Sequence, residues 1–178
     1  MSSLNPVRHP GEARLFARLD QLFMDYETVE HAAVFTVEDS QSIKSDLPGG
    51  HTKNLFLKDK AGQFVLVSAL ADTSIRLNTL HKHIGTKRLS FAKAEDLERL
   101  LDVRPGSVTV LSVINDVDCQ VRLILDRALL DHEYVWFHPL RNTASTRIRS
   151  DQLIQFAFET GHNPLIIDFV QIAERPTE

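Results

Sequence analysis

Residues 51–70 constrain the fold of this chain more than any other segment. Leu55 and Leu57 alternate with other residues at the period of two that is typical of a strand with one face in a core. The sequence Asp59-Lys60-Ala61-Gly62 then indicates a turn, and the apolar residues within 63–70 indicate a second strand. We therefore predict that these two strands pair antiparallel.

The size and composition of the chain favour a single domain over residues 1–178. The chain has 178 residues, of which 43% are apolar, and this is sufficient for one ordinary core. We predict a flexible lead-in at residues 1–10, which contain Pro6 and Pro10. No apolar run approaches the roughly 18 residues that span a bilayer, and residues 1–10 lack the apolar stretch of a signal peptide. We therefore expect a cytoplasmic protein without a membrane partner.

Apolar periodicity and turn residues along the rest of the chain predict both helices and strands. Helices are predicted at residues 11–26, 36–44, 75–84, 94–101 and 151–160, with one helical turn at 128–131. Further strands are predicted at residues 27–31, 107–114, 120–125, 134–137 and 165–172. Thr36 with Asp39 resembles a capping box at the start of the second helix. Together these elements predict a mixed α/β fold with a single, mainly antiparallel curved sheet or open barrel and surrounding helices.

Charge and cysteine content narrow the possible functions. The formal net charge of -4 argues against broad, non-specific nucleic-acid binding, which usually needs a strongly basic face. Cys119 is the only cysteine, so the chain has no intrachain disulfide and no cysteine-based metal cluster. We expect Cys119 to be a small buried residue in a strand.

The sequence lacks the patterns of three common catalytic sites, namely G-x-S-x-G, G-x-x-x-x-G-K-[ST] and H-E-x-x-H. His81 and His83 are two residues apart on a predicted helix, so their side chains diverge. We expect no catalytic metal and no cofactor. From the residues alone, Lys53 is interpreted as a solvated strand end, His138 as a structural hydrogen-bonding residue, and His162 as part of a helix stop.

Four motifs occur in order along the chain: Gly49-Gly50-His51-Thr52-Lys53-Asn54-Leu55-Phe56-Leu57, Arg88-Leu89-Ser90-Phe91-Ala92, Pro105-Gly106-Ser107-Val108-Thr109 and Phe137-His138-Pro139-Leu140-Arg141-Asn142-Thr143. In this order and rough spacing they resemble the YbaK/prolyl-tRNA synthetase-associated editing domain family. Within that family, the chain is similar to the free-standing proteins that remove alanine from mischarged tRNA for proline. The resemblance covers residues 30–168.

The resemblance implies functional roles for particular residues. Lys53 contacts phosphate at the acceptor end of the tRNA, and Asn54 helps to place the terminal adenosine or the aminoacyl group. Backbone amides of one loop bind around the aminoacyl ester, and its glycine permits close backbone approach. The residues of that loop are Gly106, Ser107, Val108 and Thr109.

The fourth motif supplies the polar wall of the pocket in this interpretation. His138 lies beside the amino-acid part of the substrate and positions it, and general-base catalysis is its alternative role. Asn142 and Thr143 hold the same loop. The chain departs from the family at Val110, where the family loop has proline. This departure bears on the rigidity of the loop and on its substrate range.

The activity implied by the resemblance is hydrolysis of alanyl-tRNA for proline in trans. Water attacks the ester with help from the ribose 2′-hydroxyl, and backbone amides stabilise the tetrahedral intermediate. A small pocket admits alanine and excludes the bulkier proline ring. The implied partners are the aminoacyl-tRNA acceptor end and a prolyl-tRNA synthetase, with no DNA specificity. Two alternatives remain open: a non-catalytic tRNA-binding or synthetase-associated module of the same fold, and a deacylase for serine or cysteine.

Overall fold

The computed structural model describes residues 8–33 and 37–174, in which a mixed sheet is surrounded by helices. The α-helices are α1 (Glu12–Gln21), α2 (Val37–Asp46), α3 (Leu77–Ile84), α4 (Ala94–Leu101), α5 (Ser150–Glu159) and α6 (Phe169–Glu174). Two 3₁₀ helices cover Val110–Asn115 and Arg127–Asp131. The strands are β1 (Tyr26–Glu30), β2 (Gly50–Asp59), β3 (Phe64–Leu70), β4 (Leu89–Phe91), β5 (Val121–Asp126), β6 (Tyr134–Phe137), β7 (Ala144–Arg149) and β8 (Leu165–Ile167). In these ranges, every helix is too short or too polar to cross a membrane.

The sheet has the strand order β1-β7-β6-β2-β3-β5-β8, and β4 also pairs with β2. Strands β2 and β3 pair antiparallel from Thr52 opposite Leu70 to Lys58 opposite Phe64, which confirms the predicted hairpin. The pairs β1–β7, β6–β7 and β2–β4 are also antiparallel, whereas β2–β6, β3–β5 and β5–β8 are parallel. The sheet is open, so the predicted mixed α/β fold class is confirmed.

Both faces of the central hairpin are buried. Phe56 and Leu66 lie in one apolar cluster together with residues of α1, α4 and α5. Leu57 and Val67 lie in a second cluster on the other face, together with residues of α3 and α6. Strand β2 is therefore covered on two sides, because helices pack on both faces of a sheet that contains parallel pairs. The alternation of Leu55 and Leu57 indicates only one of these two faces.

The predicted strand at residues 107–114 is wrong. This segment forms a turn followed by the 3₁₀ helix Val110–Asn115. The Thr109 hydroxyl accepts a hydrogen bond from the Leu111 amide, and the Ser112 hydroxyl donates to the Thr109 carbonyl. Local bonds of this kind compete with strand pairing. Strand β5 consequently pairs in parallel with β3 instead of returning against this segment.

Two elements end earlier than the apolar pattern predicts. The strand predicted at residues 165–172 stops at Ile167, and α6 follows it. The Asp168 carboxylate accepts a hydrogen bond from the Gln171 amide, which is the geometry of a helix N-cap. The first helix stops at Gln21, since Phe23 has a φ of 53° and points into solvent with 91% exposure. Apolar residues beyond the end of the strand and of the helix thus extended both predictions too far.

Three further predictions concern smaller features. Cys119 is exposed in a turn with a φ of 50°, so its predicted burial in a strand is wrong. Strand β7 has no counterpart among the predicted strands, because polar residues interrupt its alternation. Gly161, with a φ of 86°, follows the end of α5 as predicted. The capping box of Thr36 with Asp39 lies outside the described residues and side chains, so it stays a prediction.

Candidate functional site

His138 follows the end of β6 and borders a small cavity of about 70 Å³. The cavity lies between the first residues of β2, the end of β6, the start of β7 and helix α2. Its lining residues are Ile43, Lys44, His51, Thr52, Trp136, Phe137, His138 and Ser145. We call this space the His138 cavity. The start of the first motif, at His51 and Thr52, and the start of the fourth motif, at Phe137 and His138, thus meet at one place.

Hydrogen bonds to backbone carbonyls fix the orientation of the polar groups in the His138 cavity. His138 Nδ1 donates to the Ala144 carbonyl at 3.0 Å, and His51 Nε2 donates to the Leu47 carbonyl at 2.7 Å. A carbonyl only accepts, so each of these ring nitrogens carries the hydrogen and the other nitrogen of the neutral ring is an acceptor. The Thr52 hydroxyl likewise donates to the Trp136 carbonyl at 2.7 Å.

Burial favours the neutral form of both histidines of the cavity. Burial lowers the pKa of His138, although its hydrogen bond to the Ala144 carbonyl opposes this effect. Burial also lowers the pKa of His51, and the nearby positive charge of Lys44 lowers it further. A neutral imidazole whose N–H is bonded to the backbone presents a lone pair on its second nitrogen. The cavity can therefore hold a group that donates hydrogen bonds.

Ser145 lines the His138 cavity and His31 is bonded to it, and no motif in the sequence indicated a role for either residue. His31 Nδ1 donates to the Ala32 carbonyl at 2.8 Å, and a hydrogen bond of 2.9 Å joins His31 Nε2 to the Ser145 hydroxyl. The rings of His31 and His138 are 6.4 Å apart between centroids. Strand pairing between β1 and β7 brings these residues together across more than one hundred positions of sequence. Only correct pairing of β7, which we did not predict, would have found them.

The predicted ester-binding loop borders a different depression, a cleft of about 450 Å³. Ser107 and Asn142 both line this cleft, together with Arg8, Arg104 and Arg141. Residues 138–143, which connect β6 with β7, lie between the His138 cavity and the cleft, since they contribute to both linings.

Within the loop, Gly106 has a φ of 89°. A Cβ atom placed on Gly106 would lie 3.9 Å from Asn142 Nδ2. The backbone conformation thus requires glycine, and it brings the loop close to Asn142. The Ser107 amide donates to the Arg104 carbonyl at 3.0 Å, so this amide is engaged within the turn. Thr109 is fully buried and caps the following 3₁₀ helix, while Val108 is half-buried.

Lys53 and Asn54 lie on opposite faces of β2, as adjacent strand residues do. The Lys53 ammonium donates to the Thr73 carbonyl, and the Thr73 hydroxyl bonds to the Asp126 carboxylate. Lys53 is half-buried, and its ammonium is bonded to the protein, so it is not a solvated strand end. Neither Lys53 nor Asn54 lines the His138 cavity or the cleft.

Asn54 lies opposite Ser68 of β3 on the face toward the first apolar cluster. Its Oδ1 atom and the Ser68 hydroxyl oxygen are buried, and among the described residues neither has a hydrogen-bond partner. A buried polar atom without a partner costs about 1–3 kcal/mol, so such a pair calls for an explanation.

A buried ionic network fixes the connection between β6 and β7. Arg141 donates to both carboxylate oxygens of Glu12 at 2.9 and 3.0 Å, and to both of Glu30 at 2.6 and 2.8 Å. It also donates to the Thr143 hydroxyl at 2.7 Å. The bonds from Glu30 and Glu12 raise the pKa of Arg141, and the same contact lowers the pKa of Glu30. Helix α1 and strand β1 are thereby bound to the connection that carries His138 and Asn142.

His162 has a structural environment, in agreement with its interpretation as part of a helix stop. Its side chain is 3% exposed, and Nε2 bonds to the Asp116 carboxylate at 3.0 Å. Asp116 also accepts hydrogen bonds from the amides of Gln120 and Val121. Within the described ranges, no group of three or more histidine, cysteine or acidic side chains is placed to hold a metal ion.

The chain belongs to the aminoacyl-tRNA editing domain family, whose model matches residues 31–156. The matched part includes the lining of the His138 cavity and all residues for which the resemblance predicted a role. The family assignment made from the four motifs is therefore confirmed.

Individual relatives match the chain along most of its length. It is 40% identical over 162 residues to prolyl-tRNA synthetase associated domain-containing protein 1 of Mus musculus, covering 88% of this chain and 95% of the mouse protein. It is 34% identical over 149 residues to the prolyl-tRNA editing protein ProX of Acetoanaerobium sticklandii, covering 83% of this chain and 91% of that protein. A crystal structure described as a candidate trans-editing enzyme for prolyl tRNA synthetase has a TM-score of 0.67 at 19% identity, covering 91% of this chain and 98% of that one. This last match supports the fold.

Proposed function

We propose that this protein is an aminoacyl-tRNA deacylase that acts in trans on alanine attached to tRNA for proline. Membership of the editing domain family and similarity to a protein named for prolyl-tRNA editing support hydrolysis of an aminoacyl ester. Similarity to a protein named for association with prolyl-tRNA synthetase supports that synthetase as a partner. The cytoplasm is the corresponding place of action.

The observation that carries the proposal is the His138 cavity, which combines small volume with convergent polar groups. A space of about 70 Å³ corresponds to roughly five water-sized volumes, which suits a group of a few non-hydrogen atoms. An alanyl group with its amino nitrogen has that size, whereas the ring of proline is larger. Steric exclusion rejects a larger ligand well, so a cavity of this kind would spare correctly charged tRNA.

The reaction then needs a positioned ester, an attacking water and donors for the oxyanion. His138 positions the aminoacyl group, and the 2′-hydroxyl of the terminal ribose orients the water. Amides of the loop at residues 106–109 stabilise the tetrahedral oxyanion. The Ser107 amide takes part only if its hydrogen bond to the Arg104 carbonyl breaks. Asn142, which lies near Gly106, would hold this loop against the connection between β6 and β7. No side chain has to exchange a proton with the ester oxygen in this scheme.

Lys53 would bind a phosphate near the acceptor end. An ammonium has three hydrogens, and the Thr73 carbonyl accepts one of them, so donors remain for an anion. Asn54 would contact the terminal adenosine or the aminoacyl group once its side chain turns from the sheet. These two contacts position the tRNA, so their loss should weaken binding more than the chemical step.

A second candidate is a non-catalytic tRNA-binding module, and two observations favour it. Val110 replaces the loop proline of the family, and the Ser107 amide is already bonded to Arg104. Such a module would retain or protect the ester instead of cleaving it. Hydrolysis of seryl or cysteinyl esters is a third candidate, because both side chains are also small.

The test is release of labelled amino acid from alanyl-tRNA for proline at low protein concentration. Prolyl-, seryl- and cysteinyl-tRNA are assayed beside it, and the His138→Ala variant serves as the site-specific comparison. Catalytic loss of alanine with proline spared supports the proposal. Survival of every ester, with tRNA still bound, supports the binding module instead. Faster loss of serine or cysteine than of alanine would reassign the substrate.

A further inference from the structure

The carbonyl that accepts from the Lys53 ammonium belongs to a turn at the end of β3. Strand β3 ends at Leu70, and the Thr73 amide donates to the Leu70 carbonyl at 3.0 Å, which closes the turn. We call residues 70–73 the Thr73 turn. Its closure directs the Thr73 carbonyl to Lys53, whose ammonium donates to it.

A buried carboxylate, that of Asp126, fixes the Thr73 turn. Asp126 is the last residue of β5, which pairs in parallel with β3, and its carboxylate meets the end of β3. Oδ2 accepts from the Thr73 hydroxyl and, at 3.3 Å, from the Leu70 amide, while Oδ1 accepts from the Ala128 amide at 3.1 Å. Asp126 is only 1% exposed, and burial of a carboxylate is unfavourable unless donors of this kind surround it. The turn is therefore fixed at both its first and its last residue.

A fixed turn matters to Lys53 because the ammonium of a lysine is carried on a flexible four-carbon stem. An ammonium without a fixed acceptor samples many positions, and it loses that freedom when it binds an anion. The Thr73 carbonyl takes one of the three ammonium hydrogens and leaves two for an anion. The position of this carbonyl thus sets where the ammonium can meet an anion.

We infer that Thr73 and Asp126 are positioning residues for the tRNA, because they fix the Lys53 ammonium where it contacts phosphate. This inference rests on the proposed function, in which Lys53 binds near the acceptor end. Neither Thr73 nor Asp126 belongs to the four motifs, and neither lines the His138 cavity or the cleft. Asp126 acts through Thr73, and Thr73 acts through its backbone carbonyl.

The test measures binding of uncharged tRNA for proline, so that it does not depend on hydrolysis. Thr73→Val keeps the backbone carbonyl and the shape of the side chain but loses the hydroxyl that bonds to Asp126. It should weaken binding roughly two- to tenfold, the usual effect of one lost hydrogen bond. Thr73→Ser keeps the hydroxyl and should bind as the wild type does. Thr79→Val is the matched control and should also bind normally, because the Thr79 hydroxyl bonds to the Arg76 carbonyl at the start of α3.

A double-variant cycle with Lys53→Ala separates positioning from a general structural effect. Thr73→Val should not weaken binding further when residue 53 is already alanine, because no ammonium remains to be positioned. Lys53→Ala should also make the dependence of log K on log salt shallower by about 0.7–0.9, the value for one phosphate contact, and Thr73→Val should change it in the same direction. Equal losses from Thr73→Val in both backgrounds would show a structural effect and overturn the inference. Wild-type affinity of either single variant would overturn it as well.

Asp126 needs its own comparison, because it also starts the 3₁₀ helix Arg127–Asp131. Asp126→Asn replaces one acceptor oxygen by an NH₂ group, and its loss of binding should depend on Lys53 as that of Thr73→Val does. A loss that is the same with and without Lys53 would overturn the assignment of Asp126. Circular dichroism establishes that each variant is folded before its binding is measured.

Hydrolysis of alanyl-tRNA is measured separately with the same proteins. A wild-type protein that binds tRNA with the expected coupling between Thr73 and Lys53, but releases no alanine, would refute the deacylase and leave the positioning role intact. A wild-type protein that releases alanine, with equal effects of Thr73→Val in both backgrounds, would support the deacylase and overturn the positioning role. The two proposals can therefore fail independently.

Discussion

Removal of Arg141 should destabilise the protein strongly, because it would leave the Glu12 carboxylate buried without its cation. The side chains of Arg141 and Glu12 are 7% and 5% exposed, and two parallel hydrogen bonds of 2.9 and 3.0 Å join them. Loss of one partner from a buried pair of this kind costs about 3–5 kcal/mol. We therefore expect Arg141→Leu to lower the free energy of unfolding by about that amount.

The other members of the network should respond less. Glu30 is 45% exposed, so its contact with Arg141 is partly solvated and Glu30→Gln should cost only about 1 kcal/mol or less. The double variant Glu12→Leu with Arg141→Leu removes both buried charges together. Replacement of a buried ion pair by apolar side chains is often neutral, so the double variant should be more stable than Arg141→Leu alone.

Urea denaturation followed by circular dichroism gives the free energies for the double-mutant cycle, provided that the slopes of the four transitions agree. The expected result is a coupling energy of at least about 1 kcal/mol between Glu12 and Arg141. Strict additivity of the two single changes would refute the reasoning, since it would mean that the buried carboxylate does not depend on its cation. Deacylation assays on the double variant then report whether the network also positions the connection between β6 and β7.

Three further outcomes follow from the site. Lys53→Ala should raise KM for alanyl-tRNA more than it lowers kcat, whereas Lys60→Ala in the exposed turn should change neither; unchanged activity would remove Lys53 from the site. Burial lowers the pKa of folded His138, so the stability that depends on its neutral form should be lost as pH falls below about 6.5, the ordinary unfolded value. His138→Gln should lack this part of the pH dependence in denaturation experiments, and an unchanged profile would contradict its burial as a neutral group. Val110→Pro should fold with at least wild-type stability in thermal denaturation, and a large loss would show that the Val110 amide is needed.

Local signals in the sequence were sufficient for the β2–β3 hairpin and for helix α4. The Asp59-Lys60-Ala61-Gly62 turn specified the β2–β3 hairpin, and α4 has the predicted bounds Ala94–Leu101. Where side chains bond to their own backbone, the apolar pattern was misleading. The residues after Gly106 read as a strand, but the Thr109 hydroxyl starts a 3₁₀ helix there.

Which residues form the site depends on strand pairings that no local signal in the sequence specifies. His138 could be found from its motif, whereas His31 and Ser145 meet only because β1 pairs with β7. Residues that are adjacent in the motif can also point to different sides of the sheet, since Lys53 and Asn54 lie on opposite faces of β2. A sequence motif therefore indicates which residues matter without indicating which of them share a cavity.

Val110 is the position at which the chain departs from its family, and its surroundings argue against a change in the course of the backbone. It is the first residue of the 3₁₀ helix, a position where proline is readily accommodated because its missing N–H would have no helical partner. Thr109 before it is extended, with φ -152° and ψ 149°, which is the conformation that a following proline imposes. The loop thus already has the shape that proline would give it. Loss of proline should therefore affect how firmly the loop is held more than where its amides lie, so Val110 alone is weak support for a non-catalytic module.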